Sequence, residues 1–70
     1  MSIWLEQQLD QMAAGIAEGK TRRRKTGSFA RLGVKESEMK RAVLARGWRV
    51  AQIGEDYIFA PHGYTIRPIA

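Results

Sequence analysis

Residues 28–60 read SFARLGVKESEMKRAVLARGWRVAQIGEDYIFA, and the period of this stretch changes once, at Gly47. Ahead of that glycine, good helix formers crowd residues 35–46 (Glu36, Glu38, Met39, Lys40, Ala42, Leu44 and Ala45), and Gly47 is placed to stop the helix. Met39, Ala42, Val43 and the stem of Arg46 share its inward face, with Glu36, Lys40 and Arg41 toward solvent. Beyond Gly47 the chain alternates. Trp48–Ile53 is rich in β-formers, Gly54-Glu55-Asp56 is a turn signal, and Tyr57–Ala60 returns as a second strand.

Outward from this module, Ser28–Leu32 is long enough for one or two helical turns capped by Ser28, and Gly33 breaks them. On the other side, Pro61-His62-Gly63 turns the chain again. Tyr64–Ile69 can then add a third strand, which Pro68 would hold to a sheet edge. Residues 19–28, GKTRRRKTGS, contain no apolar side chain and read as a basic linker or arm over 20–27.

Residues 2–18 read as an amphipathic helix within an N-terminal segment 1–19. Leu5, Leu9, Met12 and Ile16 make one apolar stripe, Ser2 suits the N-cap and Gly19 the stop. Gly15 either weakens this helix or lets another element come close. The stripe has two uses. It can pack on the C-terminal module, or it can serve as the face on which a second copy or another protein docks. A chain with two apolar surfaces and room for one core tends toward a homodimer, which could set two 35–46 helices about 34 Å apart. The core itself is expected to join Leu9, Val43, Trp48 and Phe59. The fold class is therefore α+β, one small domain: N-terminal helix, basic linker, and a 28–70 module of helices with a C-terminal β-hairpin or three-stranded meander.

The segment from Ser28 to Leu44 resembles a helix-turn-helix. A short helix is followed by Gly33 and the aliphatic Val34, and Met39 and Ala42 stand six and nine places past the glycine. With the Trp48–Ala60 hairpin directly after it, the module resembles the winged helix-turn-helix regulators of phages and plasmids. That resemblance implies DNA binding and transcription regulation, with Lys35, Ser37, Lys40 and Arg41 facing the major groove. Glu36 and Glu38 would oppose phosphate there, although a glutamate can accept from cytosine.

Charge points the same way. The net charge of +5 is unevenly spread: residues 1–19 carry Glu6, Asp10 and Glu18 against no base. Residues 20–35 carry Lys20, Arg22, Arg23, Arg24, Lys25, Arg31 and Lys35 against no acid. Such a block suits a polyanion, with arginine forks and lysine ammonium groups neutralising phosphates. DNA ranks ahead of RNA as the partner. An acidic protein surface is the alternative, met by a small inhibitor or adaptor acting through the N-terminal helix. A third option is single-stranded nucleic acid stacked on Trp48, Tyr57, Phe59 or Tyr64 of the sheet.

Catalysis is not expected. His62 is the sole histidine and cysteine is absent, so thiolate metal sites, disulfides and a base–nucleophile pair all lack their parts. Glu55 and Asp56 are adjacent and read as turn residues. Gly19-Lys20-Thr21 echoes the end of a phosphate loop but lacks its upstream glycine and strand. No apolar run nears the roughly 18 residues of a membrane span. The expectation is a cytoplasmic binding protein without cofactor or metal.

Overall fold

The computed structural model describes residues 2–65, 68 and 69. Its elements are α1 (Ile3–Ala17), β1 (Arg22–Lys25), α2 (Thr26–Arg31), α3 (Glu36–Ala45), β2 (Trp48–Ile53) and β3 (Asp56–Pro61). The α+β class implied by the sequence is the class observed. Among the described residues, no helix is long and apolar enough to cross a membrane.

The first helix starts and stops where its sequence says. Ser2 Oγ accepts from the Leu5 amide at 3.1 Å, which satisfies one of the free donors of the first turn. At the other end Gly19 adopts φ +85°. That left-handed turn lets the Gly19 and Lys20 amides bond back to the Ile16 and Gly15 carbonyls at 3.0 and 2.9 Å. We expect Ser2→Ala to cost about 1 kcal/mol and Ser2→Gly only a few tenths, read from urea melts. Equal melts for Ser2→Ala and the parent would show that the cap contributes nothing.

Gly33 closes α2 by the same device. With φ +73°, it directs its own amide to Ala30 O at 3.1 Å and the Val34 amide to Phe29 O at 3.0 Å. Val34 is thereby buried against the core, and four residues, 32–35, join α2 to α3.

The sheet is antiparallel throughout, in the order β1-β3-β2. Ile53 stands opposite Asp56, so the hairpin turns on Gly54-Glu55 alone, with Gly54 at φ +58° in the first turn position. Side chains alternate across the strands. Trp48, Val50, Tyr57 and Phe59 face the helices, while Arg49, Ala51, Ile53, Ile58 and Ala60 face away. Leu5, Leu9, Met12, Ile16, Phe29, Val34, Met39, Val43, Tyr57 and Phe59 form the core, with Trp4, Ala42, Trp48 and Val50 packed at its margin.

Four expectations are corrected here. The run read as a linker is a strand: β1 pairs Arg22–Lys25 with Phe59–Asp56 along the free side of β3. The physical reason is that β3 is the buried central strand, whose backbone needs partners on both sides. Ladder bonds are indifferent to side-chain type, so a strand of four bases serves if it lies at the edge. Among the described residues this strand is the third of the sheet. Tyr64 and Thr65 lie in no strand, and Ile66 and Arg67 of that stretch lie outside the described residues.

Second, the stripe Leu5, Leu9, Met12 and Ile16 is no docking face, since its exposures are 1%, 0%, 0% and 4% within the single chain. The three-stranded sheet offers a wider inner face than a hairpin alone, and α1 fills it. Third, Trp48 is only half-buried, whereas Leu9, Val43 and Phe59 are fully buried as expected. Trp48 opens β2 at the rim of the sheet. The central aromatic is Phe29, 5.1 Å from Trp4, 5.2 Å from Tyr57 and 6.1 Å from Phe59 between ring centroids. Fourth, α2 begins at Thr26, ahead of the expected cap Ser28, and the Thr26 amide bonds to Glu55 O at 2.8 Å.

Candidate nucleic-acid interface

The geometry of α3 sorts its side chains. At 100° per residue, Met39 and Val43 turn into the core, and Ser37, Arg41 and Leu44 come out on the opposite side. All three are exposed, Leu44 by 64%. Lys40 leans to one flank, where it borders a shallow cleft with Glu36, Val50 and Gln52. Lys35, at the N-cap, is exposed beside Ser37 and Arg41, and Arg31 is exposed in the last turn of α2. The other flank of α3 opens on a cleft of about 620 Å3 toward α1, with Leu5, Ala42 and Ala45 in its wall.

Glu6 of α1 borders the same cleft as Ser37 and Arg41, and its carboxylate is paired by one residue. Arg46, the C-cap of α3, donates from Nη2 to Glu6 Oε2 at 2.8 Å and to Asp10 Oδ1 at 2.7 Å. Its guanidinium also lies 5.3 Å from the centre of the Trp48 ring. The hydrogen bonds to Glu6 and Asp10 push its pKa up, against the smaller opposing effect of burial. Among the described residues, Arg31, Lys35, Lys40, Arg41 and Arg49 enter no ion pair. The cations of the helical face are unpaired among the described residues, with Glu36, Glu38 and the Arg46-bound Glu6 the acids beside them.

The basic run forms a second group at the far edge of the sheet. Arg22 and Arg24 lie toward α1. The Arg22 guanidinium lies over Gly15 in the last turn of α1, where a Cβ would displace the end of that side chain. Arg24 Nε donates to Gln8 Oε1 at 3.5 Å. Arg23 and Lys25 project the other way and meet Asp56, at 3.4 and 3.1 Å. Lys20 pairs with Glu18 at 3.0 Å on the surface.

The ten basic and polar residues picked from the sequence are therefore held as two groups, with β3 and the core between them. Lys35, Ser37, Lys40 and Arg41 belong to α3 and its N-cap, with Arg31 at the end of α2; Arg22, Arg23, Arg24 and Lys25 make the β1 edge, with Lys20 just ahead of it. Two functional candidates were missed. Arg49 faces away from the core on β2, and its place between the inward Trp48 and Val50 was the signal that could have found it. Asp56, read as a turn residue, is the carboxylate that holds Arg23 and Lys25.

Of the four aromatics expected on a stacking surface, only Tyr64, 42% exposed beside Arg49, Ala51 and Ile58, lies by the outer side of the sheet. Tyr57 and Phe59 are buried beneath the helices, and burial with the nearby Glu36 charge raises the Tyr57 pKa. The outward positions of β2 and β3 carry Arg49, Ala51, Ile53, Ile58 and Ala60 instead. Comparison of the chain with protein-family models, with curated proteins and with solved structures finds no match.

Proposed function

We propose that this chain is a small DNA-binding regulator of the winged helix-turn-helix type. The observation that carries the proposal is the joining of α2 to α3 by four residues, with the β2–β3 hairpin following at once. In that arrangement α3 is the helix for the major groove, and its outward ridge of Ser37, Arg41 and Leu44 would meet base edges. Arg41 has the fork that matches guanine, and Leu44 offers an apolar contact of the kind a thymine methyl accepts. Lys35, Lys40 and Arg31 flank the ridge as phosphate contacts. The ligand is a polyanion read without chemistry on it, which implies a cytoplasmic binding protein rather than an enzyme.

A salt titration tests this. Arg31, Lys35, Lys40 and Arg41 each neutralising one phosphate would give a slope of log affinity against log salt of about −3.6. The β1 cations would steepen it further. Fluorescence anisotropy with a random 24-base-pair duplex measures the slope. A slope shallower than about −1, or no binding at low salt, would end the DNA reading.

A further inference from the structure

We propose that the outer side of β1 is a second phosphate-binding site, built by Arg23 and Lys25 and occupied in the free protein by the Asp56 carboxylate. The proposal rests on the DNA reading above and adds to it a contact surface and its restraint. Asp56 closes the hairpin opposite Ile53, and with Glu55 it makes the tip of that hairpin acidic. A wing with such a tip would be repelled by a duplex. β1 reverses the sign, because Lys25 stands opposite Asp56 in the ladder and Arg23 two places along the same face. The two cations are spaced by about 6.8 Å along the strand, close enough to act on one backbone.

The contacts of Asp56 show an anion held incompletely. Arg23 Nη1 reaches Oδ2 at 3.4 Å through a single donor, not the paired fork that arginine can offer a carboxylate. Lys25 Nζ lies 3.1 Å from Oδ1, which is shut off from solvent and accepts no hydrogen bond among the described residues. Both bases remain open to solvent, with side-chain exposures of 67% and 70% against 15% for Asp56. They can turn to an incoming phosphate while Asp56 stays where the strand holds it. Protection of a sheet edge needs only a charge or two. Four consecutive bases, two of them clustered on one largely covered carboxylate, go beyond that need.

The test compares Asp56→Asn with the double variant Arg23→Gln, Lys25→Gln on a random 24-base-pair duplex. Asp56→Asn should bind roughly three- to tenfold tighter near 0.1 M salt, because the internal anion no longer offsets the two cations. The double variant should bind more weakly, with a salt slope shallower by about 1.8. A folded Asp56→Asn protein that binds no tighter than the parent overturns the restraint. If that variant fails to fold, the double variant decides, since its replaced side chains are exposed. An unchanged slope in the double variant removes the β1 site. The DNA reading survives that result if Arg41→Ala still weakens binding, and both fall together if the parent binds no duplex.

Discussion

Replacing Leu9 by glutamate unfolds this chain; it does not separate two folded copies. Leu9 is fully buried at the centre of the α1 stripe, in the same cluster as Phe59, Val43 and Met39. The substitution removes packing worth about 2–5 kcal/mol, as a Leu→Ala change would, and adds a carboxylate with no partner in an apolar core. A domain of this length has about 3.5–10 kcal/mol in total. The expected circular dichroism of Leu9→Glu at 25 °C is that of an unfolded chain, and Leu9→Ala should melt at much lower urea than the parent. A Leu9→Glu protein that stays folded while its mass in solution halves would restore the stripe to the surface and refute the packing described above.

The second large effect lies on α3. Converting Lys35, Lys40 and Arg41 together to alanine should reduce duplex affinity on the order of 10²–10³-fold at constant salt. Arg41→Ala alone should cost about 1–3 kcal/mol of discrimination at one base position. All three side chains are exposed and make no ion pair among the described residues. Stability should therefore change by no more than about 0.5 kcal/mol for each. The comparison to make is anisotropy titration beside a thermal melt of the same preparation. Full affinity in a triple variant that melts like the parent would move the binding face off α3.

Both variants bear on how Arg46 arranges the surface. By taking Glu6 and Asp10 it ties α3 to α1 and leaves the acids of the N-terminal helix facing the base of the hairpin. In the sequence Arg46 stands 40 positions from Glu6 and 36 from Asp10, with nothing local to join it to them. The sequence offers only the apolar stem of Arg46 on the inward face of α3, whereas it is the guanidinium that lies over Trp48. The charge at its end depends on where α1 lies, which is a tertiary fact.

The elements that pack by period were legible in the residues themselves. α1, α3, β2 and β3 lie where the apolar spacing, the caps and the glycines put them, because each signal acts within a few residues of itself. Ser2 caps α1, Gly19 and Gly33 stop helices, and Gly54 turns the hairpin for reasons internal to the backbone. What the residues could not show is which surfaces meet. A strand of Arg22, Arg23, Arg24 and Lys25 has no apolar period, since its stability comes from ladder bonds to β3, thirty or so residues away in the chain. Once that strand widens the sheet, the stripe on α1 has a partner inside its own molecule, and Phe29 becomes the hub of the core. The candidate site divides in the same way: the types of its residues were visible in the chain, but their sorting onto a helical face and a sheet edge followed from the pairing of β1 with β3.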